Sequence, residues 1–129
     1  MNRNNYKKTS YNQPFIEQRA DPYVYKHTDG MYYFTASVPE YDKIVMRGAK
    51  TIKELREAKE HTLWTKHKEG PQSIHIWAPE VHYLYGEWYI YYAAGDAADV
   101  WEIRPYVLRC KGQNPLEGEW EELGMMKAA

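Results

Sequence analysis

A tight hairpin is the clearest element in the hydrophobic pattern of the chain. Residues 22–27 and 31–37 are two runs rich in Tyr, Val and other strand-forming residues, and they flank the polar turn Thr28-Asp29-Gly30. Asp-Gly between such runs is a strong turn signal. The pattern therefore predicts two antiparallel strands joined at this turn.

Further elements follow the first hairpin. Residues 43–47 are predicted to form a third strand and residues 62–65 a fourth. Between them Thr51 and Glu54 have the spacing of a capping box, which predicts a short helix over residues 51–58.

The second half of the chain repeats the first. Residues 79–84 and 87–94 make another hairpin around Tyr85-Gly86, and a later strand and a tryptophan follow in the same order. The corresponding positions are Pro22 and Pro79, Tyr33 and Tyr89, Arg47 and Arg109, and Trp64 and Trp120. A repeat of roughly fifty residues with four antiparallel strands in each unit is typical of β-propeller blades.

The chain is thus predicted to be all-β, with two four-stranded antiparallel blades and one short helix. Blade one would cover about residues 20–66 and blade two about residues 76–123, with a connection over residues 66–71. The alternative is a coincidence of two hairpins within one β-sandwich.

An acidic residue, Asp21, stands at the threshold of the first strand and is followed by Pro22. Proline disfavours the α region for the residue before it, so Asp21 is predicted to be extended, at a strand end where sites are commonly built. The plain alternative is that Asp-Pro only begins a turn. In a propeller the segment that leads into each inner strand lies near the axis, so Trp77-Ala78-Pro79-Glu80 is expected to approach Asp21 across a funnel.

Composition narrows the classes of function. The 13 Tyr and 5 Trp suit sheets and carbohydrate-facing clefts. A net charge of -1, with no basic run longer than a pair, argues against capture of nucleic acid or of an anionic membrane. Residues 1–14 are predicted to be a flexible polar arm, which Ile16 and its neighbours could anchor, and no signal peptide is evident. The chain as written is therefore expected to be cytoplasmic, or extracellular if its start is truncated.

Cysteine and histidine chemistry is sparse. Cys110 is the single cysteine, which excludes an internal disulfide and a cysteine-based zinc cluster and predicts a small buried residue on a strand. The histidines show no metal-ligand spacing, and no serine or cysteine nucleophile motif or glycine-rich phosphate loop is present. No cofactor or metal is predicted.

Two motifs carry a resemblance to a known family. Ala20-Asp21-Pro22 at the start of the first blade, together with residues 75–81 (His-Ile-Trp-Ala-Pro-Glu-Val), resembles glycoside hydrolase family 43, and in particular its α-L-arabinofuranosidases. The resemblance runs from about Phe15 to Leu123. It implies a five-bladed propeller that cleaves terminal α-L-arabinofuranosyl or β-xylosyl linkages of plant polysaccharides with inversion, and it implies that Asp21 is the general base.

The resemblance also assigns roles, some of them open, to the second motif. Trp77 is expected to stack on a sugar ring, although it could instead plug the funnel wall. His75 could donate a hydrogen bond to substrate or be a structural histidine. Glu80 could be the missing general acid, but it is rather expected to orient substrate or to serve the structure, because in the family the acid of this segment is not the general acid.

The family places its general acid, and the further Asp that adjusts that acid, on later blades, and neither position exists in this chain. The resemblance therefore implies that these residues alone do not hydrolyse glycosides, because inversion needs both an acid and a base. A second hypothesis is a non-catalytic carbohydrate-binding or assembly module. Uncovered blade faces are expected to favour self-association, and an arabinose- or xylose-containing oligosaccharide is the expected ligand.

Overall fold

The computed structural model describes residues 16–126. These residues form eight β-strands and one short 3₁₀ helix at Lys53–Arg56. The strands are β1 (Ala20–Lys26), β2 (Tyr32–Ser37), β3 (Lys43–Ala49), β4 (His61–Thr65), β5 (Pro71–Leu84), β6 (Glu87–Asp96), β7 (Asp99–Cys110) and β8 (Trp120–Met125). The arm predicted over residues 1–14 lies outside the described residues.

The strands form two antiparallel sheets in which spatial order equals sequence order. One sheet runs β1-β2-β3-β4 and the other runs β5-β6-β7-β8. We call the first sheet blade one and the second blade two. The prediction of an all-β chain with two four-stranded antiparallel blades is confirmed.

Turn chemistry explains both inner hairpins. In blade one Gly30 has φ 91° and the Asp29 carboxylate accepts a hydrogen bond from the Met31 amide at 2.9 Å. In blade two Tyr85 and Gly86 both have positive φ, 53° and 80°. Two consecutive residues of positive φ match the twist of the flanking strands, which is why such two-residue turns close hairpins.

The main core lies between the blades. Along β6 burial alternates, so that Trp88, Ile90 and Tyr92 are buried while Tyr89 and Tyr91 are half-exposed. The buried face packs against blade one, where Tyr33, Ile44 and Met46 belong to the same cluster. Period-two burial of this kind is the mark of a sheet that is covered on one face only.

Blade one is covered on both faces. Its second face carries a smaller cluster in which Ile16 and Leu55 pack against Phe34 and Ala36 of β2. As a result, five consecutive residues of β2 are buried, whereas β6 alternates. Ile16 therefore anchors the start of the described chain, while Pro14 and Phe15 lie outside it.

The short helix predicted over residues 51–58 is present as a single 3₁₀ turn, Lys53–Arg56, within the predicted bounds. Thr51 Oγ1 accepts a hydrogen bond from the Glu54 amide at 3.1 Å, as the spacing of these two residues indicated. Arg47 Nη1 donates hydrogen bonds to the carbonyls of Leu55 and Arg56 at the end of this turn, at 3.1 and 3.0 Å. With only Leu55 buried, little apolar area remains to stabilise a longer helix.

The strands of blade two are longer than predicted. β5 begins at Pro71 and includes residues 72–77, which the sequence indicated as connection and lead-in, and β7 begins at Asp99. Only the first half of β5 escaped detection, because it contains three bulges, which destroy the alternation of apolar and polar residues. The prediction for Cys110 is confirmed: it is fully buried on β7, and this burial raises the pKa of its thiol.

Candidate functional site

Asp21 sits in a β-bulge at the start of blade one. Between Ala20 and Tyr23 the chain takes three steps while β2 takes only two, from Ser37 to Thr35. Asp21 has φ 51°, in the left-handed region, so the prediction of an extended Asp21 is wrong. The left-handed residue coincides with the bulge, and Asp tolerates this conformation better than most residues because its short polar side chain bonds locally.

The Asp21 side chain is held by a buried serine. Ser37 is only 2% exposed, and its Oγ donates a hydrogen bond to Asp21 Oδ2 at 3.1 Å. Ser37 Oγ also accepts a hydrogen bond from the Ala78 amide at 2.8 Å. One hydroxyl therefore joins the carboxylate of blade one to the lead-in of blade two.

Ala78 is the structural counterpart of Asp21 in blade two. It has φ 50°, it precedes Pro79 as Asp21 precedes Pro22, and it lies within a bulge between Trp77 and Glu80. The carbonyl of Pro79 accepts a further hydrogen bond from buried Thr35 Oγ1 at 2.9 Å. The two blade starts thus share one backbone design, and only the first carries a carboxylate.

Trp77 belongs to a cluster of three rings. The His75 and Trp77 ring centroids are 4.6 Å apart with planes at 31°, and the Tyr41 ring meets Trp77 edge-on at 5.7 Å. The Tyr41 carbonyl also accepts a hydrogen bond from the Ile76 amide at 3.0 Å. Ser37, which binds Asp21, is the last residue of β2, and Tyr41 follows it after the three loop residues 38–40. The ring cluster therefore lies beside the Asp21 bulge.

The lead-in that carries His75 and Trp77 is unusually irregular. Gln72, His75 and Ala78 all have positive φ, at every third position of β5, and each coincides with a register shift against β6. Non-glycine residues in the left-handed region cost of order 1–2 kcal/mol each and concentrate at functional sites. The strain falls on the segment that carries the candidate sugar-binding residues.

Glu80 lies apart from the Asp21 carboxylate's contacts. Its Oε1 is 3.6 Å from His82 Nε2, and the His82 ring lies between Tyr23 and Tyr91, at 5.6 and 5.5 Å. Burial, and secondarily the charge of Glu80, raise the pKa of the Tyr23 phenol. The structure therefore joins Asp21 to the Ala78 backbone and Trp77 to Tyr41 and His75, and it places Glu80 further along β5.

A cavity of about 310 Å³ opens beside the bulge, lined by Gln18, Arg19, Ala20, Ser37, Val38, Pro39 and Tyr41. Asp21 and Trp77 are not among the lining residues, but Asp21 binds Ser37 and Trp77 contacts Tyr41, which are. One lining residue, Arg19, is held by an ion pair: its Nε donates a hydrogen bond to Glu60 Oε2 at 3.0 Å. Arg47 Nε donates to the same Glu60 oxygen at 3.2 Å. Burial opposes ionisation of Glu60, but Arg19 and Arg47 outweigh it and lower the pKa of this carboxyl.

Sequence reasoning missed Ser37 and Tyr41. Ser37 lies at the end of a buried strand and Tyr41 in a polar loop, and their role depends on contacts with residues of another blade. The one usable signal was position, because a strand end that pairs with Ala20 must lie next to Asp21.

Within residues 16–126, no group of three or more His, Cys, Asp or Glu residues is arranged to hold a metal ion. In the same range no helix is long and apolar enough to cross a membrane.

Comparison with known proteins decides the family. The family model described as "Glycosyl hydrolases family 43" matches residues 11–129. The chain belongs to glycosyl hydrolase family 43. The resemblance inferred from the Asp-Pro and Trp-Ala-Pro-Glu motifs is confirmed.

Relatives of this family 43 chain include several arabinofuranosidases. It is 55% identical over 117 residues to an extracellular exo-α-(1→5)-L-arabinofuranosidase of Streptomyces avermitilis, covering 91% of this chain and 24% of the relative. An enzyme of the same description from Streptomyces chartreusis is 49% identical, covering 92% of this chain and 36% of the relative.

A solved structure supports the same placement. The α-L-arabinofuranosidase from Lactobacillus brevis superposes with a TM-score of 0.81 at 47% identity, covering 89% of this family 43 chain and 38% of that protein. The chain thus spans between about a quarter and two fifths of the length of these relatives.

Proposed function

We propose that this chain supplies the general base and part of the sugar-binding wall of an inverting α-L-arabinofuranosidase. The observation that carries the proposal is the exposed Asp21 carboxylate, fixed at a blade start by the buried Ser37 hydroxyl and placed beside the rings of Trp77, His75 and Tyr41. The names of the relatives support the choice of sugar. A β-xylosyl linkage is the second choice of substrate.

In the proposed reaction Asp21 accepts a proton from water while the water oxygen bonds to the anomeric carbon. The glycosidic C–O bond breaks on the opposite face of the sugar, and a protonated carboxylic acid gives its proton to the leaving oxygen. The configuration inverts, and the two carboxyl groups must stand roughly 6.5–9.5 Å apart to admit the water. Ser37 binds Oδ2, and in this proposal Oδ1 is the oxygen that takes the proton.

The remaining roles follow from position. Trp77 and His75 present rings that can stack on a neutral sugar, while Glu80 orients substrate from further along β5. The general acid comes from another segment of the protein. We therefore propose that this chain alone binds sugar without turnover. In that isolated state it would act as the second candidate, a non-catalytic carbohydrate-binding module.

The test is a chimera in which residues 11–129 replace the matching segment of the Streptomyces avermitilis relative. The chimera is expected to release arabinose from a short α-(1→5)-arabinan oligomer. Asp21→Asn should lower kcat by roughly 10²–10⁴, as for a lost general base, without changing the melting temperature. The matched control is Asp29→Asn in the hairpin turn, which keeps its acceptor for the Met31 amide and should leave kcat unchanged.

Near-normal turnover of the Asp21→Asn chimera would remove Asp21 from the mechanism. Arabinose release by the isolated chain, lost on Asp21→Asn, would show that a general acid lies within it, and Glu80 would be the first residue to substitute.

We also propose that the protein acts outside the cell, as the names of both Streptomyces relatives state for those proteins. The cytoplasmic expectation has no support in those names.

A further inference from the structure

An isolated tryptophan protrudes from the hairpin between β6 and β7. Trp101 is 88% exposed, and its neighbour Val100 is 47% exposed. In the pairing of these two strands, Ala94 lies opposite Arg104 and Asp96 lies opposite Asp99. From the first pair to the second, β7 advances five residues while β6 advances two, so residues 100–103 bulge out of the sheet. Trp101 and Val100 therefore present adjoining apolar surface to water, and the indole ring offers a flat apolar face that a ligand can cover.

The backbone around Trp101 is fixed by side chains. Buried Ser73 of β5 accepts a hydrogen bond from the Ala97 amide at 2.8 Å. Asp96 Oδ1 accepts one from the Ala98 amide at 2.9 Å, and Asp99 Oδ1 accepts one from the Trp101 amide at 3.2 Å. The ring therefore projects from an ordered support, which lowers the entropy lost when a ligand binds.

The hairpin lies at the same end of blade two as the candidate site. Ser73, which holds its tip, is two residues before His75, and β5 runs from there through Trp77 to Ala78. The Asp21 bulge meets β5 at this end, through Ser37. Trp101 on β7 lies two strand spacings and about two residues of ladder from Trp77 on β5, which corresponds to roughly 12 Å. The other strongly exposed ring, Tyr85, lies at the opposite end of the blade in the β5–β6 turn.

We propose that Trp101 is a stacking platform for a sugar residue of the polysaccharide, several residues away from the bond that Asp21 acts on. The inference rests on the proposed function and adds to it a remote subsite for a neutral furanose ring. The indole offers one flat apolar face to the C–H face of a sugar, while Asp99, Glu102 and Arg104 beside it offer hydrogen-bonding groups to hydroxyls. A single ring among charged residues fits a thin, neutral chain better than a protein surface.

The experiment measures binding of the full chain by calorimetry. Arabinobiose and arabinohexaose are titrated, because only the longer ligand can reach from Trp77 to Trp101. We expect Trp101→Ala to weaken arabinohexaose binding about tenfold and to leave arabinobiose binding unchanged, whereas Trp101→Tyr keeps most of the affinity. The matched control is Tyr85→Asn, which removes an equally exposed ring, suits the positive φ of that position and should bind both ligands as the wild type does.

The outcomes separate this inference from the proposed function. Equal affinity of Trp101→Ala and wild type for arabinohexaose would overturn the platform and leave the arabinofuranosidase proposal intact. Linear xylan and galactan oligomers of the same length are titrated in parallel. Binding of one of these in place of arabinan, lost on Trp101→Ala, would support the platform and contradict the choice of sugar. Absence of binding to all of them, or self-association that depends on Trp101, would overturn the platform.

Discussion

At the scale of single residues, Ser37 does more than any other side chain to hold the candidate site together. Its hydroxyl donates to Asp21 and accepts from the Ala78 amide, so it fixes both the carboxylate and the backbone turn that precedes Pro79. Because Ser37 is buried, water is poorly placed to replace either bond. Loss of the hydroxyl should therefore affect both stability and chemistry.

The prediction compares Ser37→Ala with Ser73→Ala in the arabinofuranosidase chimera. Both serines are buried and each accepts one backbone amide at 2.8 Å, but only Ser37 also binds Asp21. Each variant should lose about 1 kcal/mol of unfolding free energy, measured in urea. Only Ser37→Ala should lower kcat on an aryl arabinofuranoside, by roughly tenfold to a hundredfold, because the base is no longer oriented.

A matching fall in kcat for Ser73→Ala would show that the effect is general destabilisation and would contradict the positioning role of Ser37. A small aryl substrate is used because Ser73 also supports the Trp101 hairpin, which such a substrate does not reach.

The sequence indicated the position of Asp21 but not its conformation. Asp-Pro at the start of a strand-like run was enough to single out the residue and to connect it with family 43. Its left-handed φ, however, arises from a bulge against β2, and the partners of that bulge are more than ten positions away. Local rules for the residue before proline predicted extension, and tertiary pairing overrode them.

At the scale of elements, the hairpins and the repeat were predictable because their signals are local. Turn residues of positive φ and alternating burial along β6 follow directly from the sequence. The first half of β5 was not predictable, since its three bulges place residues 71–80 in a strand without alternation. The short helix was predictable from the spacing of Thr51 and Glu54, and it remains a single turn because only Leu55 of its residues is buried.

The loop between β7 and β8 contains a close approach that can be tested. A Cβ on Gly118 would lie 2.4 Å from Cys110 Sγ and 3.1 Å from the Asn114 carbonyl oxygen. Since Cys110 is fully buried, its sulfur has little room to move. Gly118→Ala should therefore cost about 1–3 kcal/mol of unfolding free energy in urea, the range for overpacking.

The matched control for this prediction is Gly112→Ala in the same loop, whose Cβ would meet its nearest neighbours at 3.6 and 3.8 Å, an ordinary contact distance. It should be close to neutral. The double variant Gly118→Ala, Cys110→Ala should recover part of the loss, because the second change removes the sulfur. Equal stability of the two single glycine variants would contradict the predicted clash.

At the scale of the whole molecule, a carboxylate on the last strand connects the two blades. Glu122 of β8 accepts hydrogen bonds from Trp64 Nε1 at 2.8 Å, and its Oε2 lies 2.7 Å from His67 Nε2. Gln72 donates to its other oxygen at 3.5 Å and accepts from the buried Tyr92 hydroxyl. Burial alone would raise the pKa of Glu122, but these bonds outweigh it and lower the pKa.

The lowered pKa of Glu122 has a consequence for acid stability. The unfolded chain binds the proton more readily than the folded chain, so the stabilisation is complete above the ordinary carboxyl pKa of about 4.3 and is lost as pH falls through the lower folded value. Glu122→Gln should therefore show a flatter decline in unfolding free energy than the wild type between about pH 5 and about pH 3. Parallel curves for the two proteins, recorded by urea denaturation, would contradict the ionic role of Glu122.

The uneven covering of the blades predicts how the isolated chain behaves in solution. Blade one is buried on both faces, whereas the outer face of blade two presents the half-exposed rings of Tyr89 and Tyr91 on β6. Repeat units gain much of their stability from neighbouring units, so this face should associate with a second copy at micromolar concentration. Sedimentation should show an average mass above that of a monomer.

The double variant with Tyr89→Lys and Tyr91→Lys should be a monomer, because the added positive charges on the two copies would then repel each other. The control variant Tyr85→Lys, at the far turn, should still associate. A wild-type chain that remains monomeric over the same range would contradict this use of the outer face.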